Sequence, residues 1–134
     1  MTEKSGVWDT LRKGCPQVQW MRLENLVGTG MPDVNGCLNG VEVWLELKYV
    51  ASGFKIHFQP TQPPWIFRRA LSGGRVYVLA RKEDVLYLYH GSQIRELVAQ
   101  GLRLQPILRL EKPFDWYLLL SVVFGHKATE SLKP

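Results

Sequence analysis

Long hydrophobic runs are missing from these 134 residues. A membrane helix needs about 20 consecutive apolar residues. The longest clean stretch, Trp116 to Val123, is far shorter and contains Ser121, so no membrane partner is expected. Cysteine is scarce. Cys15 and Cys37 form neither a CxxC pair nor a disulfide framework, and two reduced thiols in a cytoplasmic protein are the expected state. Histidine is sparse as well. His57, His90 and His126 are dispersed, with no HxxH or Cys/His spacing, which argues against a zinc site. Met1 to Gly6 is polar and lacks the apolar run of a secretory signal. There is no internal repeat, long linker or low-complexity tract.

The composition that remains is that of a folded chain. Hydrophobic residues make up 46% and charged residues 22%, which excludes a largely disordered protein. The length fits a single domain over 1–134, large enough to fold without disulfides. Lys and Arg number 17 against 12 Asp and Glu, a net charge of +5. That balance suits a polyanionic partner without requiring one.

Apolar spacing at Val7, Trp8 and Leu11 predicts a helix over Val7 to Lys13, stopped by Pro16. Val18 to Leu26 allows a strand of mixed faces. Gly28 and Gly30 then break regular structure. Asp33 to Leu38 and Val41 to Val50 flank Asn39-Gly40, a strong hairpin signal. In the second run Val41, Val43, Leu45, Leu47 and Tyr49 alternate with Glu42, Trp44, Glu46 and Lys48. One face therefore packs on a core, while the other carries three charges and Trp44. Pro60 to Leu71 reads as a helix with Pro63-Pro64 in its first turn. Arg75 to Ala80 and Val85 to Tyr89 read as strands. Ser92 to Gln100 reads as a short helix with Ser92 as N-cap. Phe114 to Phe124 fits a helix or a buried strand, and periodicity does not decide.

The chemistry gathers at Pro32-Asp33, followed after twelve residues by Glu46-Leu47-Lys48. Glu46 and Lys48 project from one face of a strand, and Asp33 opens the strand that pairs with it. Two carboxylates and a backbone carbonyl suit a hard cation such as Mg²⁺ or Mn²⁺. A lysine beside them can orient water or stabilise charge on a phosphate. As an alternative, Glu46 and Lys48 are an ordinary surface pair worth about 0.2–1 kcal/mol.

With its Pro32-Asp33 … Glu46-Leu47-Lys48 pattern, the chain resembles the PD-(D/E)xK nuclease superfamily. Arg22-Leu23-Glu24-Asn25, Gly30-Met31-Pro32-Asp33 and Gln62 with its following helix resemble small phage-type members. Those are similar to virus-type replication-repair nucleases and archaeal-type Holliday junction resolvases. The likeness spans about residues 20–82. It implies an α/β restriction-endonuclease-like domain with a central mixed β-sheet flanked by helices. It also implies a Mg²⁺-dependent DNA endonuclease, with Mn²⁺ as substitute, acting on branched DNA and leaving 5′-phosphates. Asp33, Glu46, the Leu47 main-chain carbonyl and Glu24 would hold the metal. Lys48 would be the catalytic lysine, and Gln62 would position Lys48 or DNA. Resolvases place the upstream acid on a helix, whereas Glu24 falls on or beside a strand. Symmetric cutting of a junction implies a homodimer, and the location implied is cytoplasmic (host cytoplasm for a phage-encoded chain).

Other residues carry two readings. Arg68, Arg69, Arg75, Arg81 and Lys82 cluster in sequence around the Gln62 helix. They are either a solvated face or DNA phosphate contacts that do not read sequence. Glu42 reads as solvated, Asn25 as a turn or cap residue, and Trp65 as core. Two other classes of function stay open: a non-catalytic nucleic-acid-binding module on the same fold, and a protein-interaction factor.

Overall fold

The computed structural model describes residues 4–23 and 28–134. The order is α1 (Lys4–Gly14), β1 (Gln19–Arg22), β2 (Val34–Leu38), β3 (Val41–Tyr49), α2 (Gln62–Leu71), β4 (Val76–Lys82) and β5 (Val85–His90). Then come α3 (Ile94–Gln100), β6 (Leu108–Glu111), α4 (Trp116–Phe124) and α5 (His126–Thr129). The strands form one six-stranded sheet in sequential order. Among the described strands only β3 and β4 run parallel. A parallel pair needs a crossover, and α2 lies within it.

Alternation along the strands assigns the two faces of the sheet. Val43, Leu45 and Leu47 of β3 join Tyr77, Leu79, Leu86 and Leu88 on one face. They pack against Val7 and Leu11 of α1 and Leu119, Leu120, Val123 and Phe124 of α4. On the other face Val76, Val78, Ala80 and Tyr89 pack against Ile66 of α2 and Ile94 and Leu97 of α3. Each fully buried aliphatic side chain contributes about 1.5–3 kcal/mol, so both helix layers are held by apolar burial.

The hairpin signal is borne out. Asn39 and Gly40 have φ of 49° and 83°, the pair of positive angles that a tight β2–β3 turn requires. Asn39 also donates its side-chain amide to the Ala128 carbonyl at 2.7 Å, tying the turn to α5.

Several expectations change. Of the run Phe114 to Phe124, which by periodicity fits helix or strand, Trp116–Phe124 forms helix α4, with Asp115 as N-cap accepting from the Leu118 N–H. The N-cap near residue 92 is His90 rather than Ser92. Its Nδ1 accepts from the Ser92 N–H at 3.0 Å, while the Gln93 side chain accepts from the His90 N–H at 2.9 Å. A 3₁₀ turn over Gly91–Gln93 therefore precedes α3. Burial lowers the His90 pKa, in keeping with an imidazole nitrogen that serves as acceptor. Edge strand β6, four residues long between Pro106 and Pro113, is not among the elements expected from the sequence. The charged face of β3 is covered only in part: Glu46 is 0% exposed, while Glu42 on the same face is exposed.

The two cysteines are free thiols, Cys15 buried and Cys37 exposed. Burial pushes the Cys15 pKa up to about 12. No helix among the described residues is long and apolar enough to cross a membrane.

Candidate active site

Asp33 stands where β2 separates from β3. Val34 pairs with Leu45, so continuing the register would set Asp33 opposite Glu46. Pro32 precedes it and has no N–H for a ladder. The Asp33 side chain takes over the pairing: its Oδ2 accepts from the Leu47 N–H at 2.8 Å. Its main-chain carbonyl accepts from the Leu23 N–H at 2.7 Å. One carboxylate is thereby fixed on the peptide between Glu46 and Leu47.

Glu46 and Lys48 point from β3 toward α2. Glu46 Oε2 lies 3.2 Å from Lys48 Nζ and accepts from Gln62 Nε2 at 2.9 Å. Gln62 Oε1 accepts from Lys48 Nζ at 3.1 Å and from the Gln59 N–H at 2.9 Å. A single amide therefore links acid and base, its NH₂ end on the carboxylate and its oxygen on the ammonium. Gln62 occupies the first turn of α2, which also carries Pro63 and Pro64. The ring of Phe58 lies 4.6 Å from Lys48 Nζ, and the Lys48 side chain is 12% exposed. A charge pair this sheltered is screened less than a surface pair and depends on its hydrogen-bond partners.

The structure thus brings together Asp33, Glu46, Leu47, Lys48 and Gln62. Glu24 and Asn25 lie outside the described residues. Glu42 is exposed, and Trp65 is half-buried, packed edge-on against Trp44 at 5.6 Å between centroids. Phe58 was not anticipated. It lies between the recognisable motifs, and only the alternation of buried Ile56 with exposed His57 hints that this loop has an inner side.

The basic cluster is divided by the sheet. Arg68 is exposed on α2, and the Arg69 guanidinium stacks over Trp65 at 4.6 Å and Trp44 at 5.6 Å. With Ser72 and Trp65 they line a shallow pocket of about 270 Å³. Lys82 reaches the Gly53 carbonyl on the same face. Arg75 turns to the opposite face, donating to the Val123 carbonyl at the end of α4 at 3.1 Å. Arg81 also leaves the expected set: it is 5% exposed. It donates to the Glu83 carbonyl at 2.7 Å and Thr10 Oγ1 at 3.1 Å, and it stacks on Phe114 at 5.2 Å. Its alternating position on β4 sends it toward α1, away from Glu46. It ties the β4–β5 turn to α1.

The donor set fits a divalent cation of the Mg²⁺ class. Asp33 and Glu46 are hard oxygen donors opposite one another in the continued register, with the Asp33 carboxylate on the Leu47 N–H. Mg²⁺ is commonly held by one or two carboxylates, with water completing its shell. Among the described residues no group of three or more acidic, His or Cys side chains forms a ready metal cluster. The third acid expected from the sequence is Glu24.

Comparison with solved structures finds the same architecture in Archaeoglobus fulgidus Hjc, a Holliday junction resolvase from an archaeal hyperthermophile. The TM-score is 0.50 at 11% identity, over 67% of this chain and 74% of that one. No protein-family model and no curated protein matches the sequence. The likeness is one of fold. The chain has the α/β architecture expected from its sequence, a central mixed sheet flanked by helices, as in that nuclease.

Proposed function

We propose that this chain is a metal-dependent DNA endonuclease acting on branched DNA. The observation that carries the reading is the closed contact of Glu46, Lys48 and Gln62 beside an Asp33 fixed on the Leu47 peptide. The structural neighbour is a Holliday junction resolvase, which supports branched DNA as the substrate class by analogy of fold, while the chemistry is argued from the site.

Asp33, Glu46 and the Leu47 carbonyl, with Glu24 from outside the described residues, would hold Mg²⁺ or Mn²⁺. Bound there, the ion supplies Lewis acidity at the scissile phosphate and lowers the pKa of the attacking water. Glu46 contributes negative charge that Lys48 and Gln62 hold in one orientation. Lys48 presents an ammonium where charge builds on the phosphate oxygens, and the neighbouring Phe58 ring limits water around it. Gln62 fixes the separation of the two groups, so neither must reorganise as the reaction proceeds.

The test is cleavage of a four-way junction, a flap, a single strand and a linear duplex of matched sequence. Each is offered with Mg²⁺, Mn²⁺, Ca²⁺ or EDTA, beside Asp33→Ala. Expected are cuts in branched DNA with Mg²⁺ or Mn²⁺, none in Ca²⁺ or EDTA, and a loss of at least about a hundredfold in the variant. Salt-sensitive binding without any cutting would make the chain a non-catalytic module.

A further inference from the structure

The loop between β3 and α2 connects the candidate site to an exposed aromatic ring that its backbone holds in place. Phe54 is 37% exposed. Its carbonyl accepts from the Leu102 N–H at 2.8 Å. Gly101, at φ 59°, lies so close that a Cβ there would collide with the same oxygen. The preceding carbonyl, of Gly53, accepts from the Lys82 amine. Two residues further on, Ile56 is buried in the core beneath α2 and α3. An exposed loop is ordinarily mobile, whereas this one is secured at three successive points. The ring is also paired, with the Arg103 guanidinium 3.6 Å from its centroid. Lys55, His57 and Arg103 are exposed around it. The same loop continues to Phe58 beside Lys48 and to Gln59, whose N–H binds Gln62.

We propose that Phe54 and Arg103 form a stacking platform for an unpaired nucleobase of the DNA held at the Glu46–Lys48 site. This rests on the nuclease reading for its choice of ligand. Bases stack on aromatic rings and on arginine planes without regard to sequence, and a fixed ring has little conformational freedom to lose on binding. Lys55, next to it in the chain, and Arg103, on its ring, carry positive charge that matches a polyanion, and the same loop runs on to Phe58 and Gln59 at the site. Branched DNA offers splayed bases at its branch point, which a continuous duplex does not. The platform therefore selects structure where the carboxylates and lysine supply only chemistry.

The experiment measures binding of the full chain in EDTA, so that no cutting intervenes. The probes are a forked duplex with single-stranded arms and a fully paired duplex of equal length, at one salt concentration. A 2-aminopurine in one arm reports stacking. Phe54→Ala is expected to weaken the fork by about tenfold and the paired duplex by less than about twofold, and to lose the 2-aminopurine quenching. Phe54→Trp is expected to keep fork affinity and quenching. Equal weakening on both probes, or none on either, overturns the platform. If the wild-type chain shows this pattern but cuts nothing with any metal, the platform stands and the nuclease reading falls. If it binds neither probe, both fall.

Discussion

On one side of β3, Leu45 is 1% exposed among the side chains of α1 and α4; one residue along, on the other side, Glu46 is 0% exposed. Equal burial rests on different physics. Leu45 needs only the exclusion of water, which is non-directional and proportional to area. Glu46 needs Lys48 and Gln62 at 3.2 and 2.9 Å, because burying a charge without partners costs far more than one apolar side chain returns. The α1–α4 face can thus be varied by volume. The α2–α3 face is fixed, around Glu46, by donors and acceptors.

The largest effect that would separate the two faces is at Glu46. Glu46→Gln is expected to lower junction cleavage by at least about a hundredfold. It should also destabilise the fold, because Lys48 keeps its charge without the carboxylate. Breaking a buried pair costs about 3–5 kcal/mol, and somewhat less here because Lys48 reaches solvent slightly. Adding Lys48→Met should recover much of that stability and none of the cleavage. Urea unfolding and junction cleavage on the same samples decide it; cleavage surviving within tenfold would remove Glu46 from the chemistry.

Leu45→Ala is the converse perturbation. Stability should fall by about 2–5 kcal/mol, while cleavage per folded molecule stays within twofold. A cleavage loss well beyond the unfolded fraction would show that the faces are coupled through the strand.

The smallest effect concerns the arginines. Arg68→Ala with Arg69→Ala should weaken DNA binding evenly across sequences and reduce the salt slope by about two. Arg75→Ala should leave the slope unchanged, because Arg75 lies with α4. A flatter slope in Arg75→Ala would place DNA on both faces.

The sequence made the hairpin and its site legible because both are local. Asn39-Gly40 sets the turn, strict alternation sets the faces of β3, and a two-residue step puts Glu46 and Lys48 on the same face. Placing Gln62 there required the family resemblance, since fourteen residues of chain separate it from Lys48. Alternation could not show that Glu46 and Lys48 are covered while Glu42 is not, because the cover is α2, a tertiary event. Nor could it divide the arginines: Arg69 and Arg81 belong to one basic stretch of sequence, yet helix phase and strand parity send them to opposite sides. The run at Trp116 to Phe124, apolar except for Ser121 and the Tyr117 hydroxyl, has no polar face to reveal a period, so its helical state emerges only from packing. Phe54 and Arg103 are brought together by the approach of Gly101, for which the sequence offers no pattern.

The pinned loop also sets how this protein tolerates changes in chain length. Surface loops usually accept insertions at small cost, since closure entropy grows slowly with length. Between Val50 and Gln62 the backbone is registered at Gly53, Phe54 and Gln59, so one added residue would shift either the ring at 54 or the amide at 62 out of place. The Glu83-Asp84 turn is exposed, and its backbone is held by Arg81 and Lys112 rather than by the residues of the site. An added residue there would disturb the Arg81 tie to α1 and leave Gln62 in register, whereas the 51–61 segment behaves as a ruler for the site.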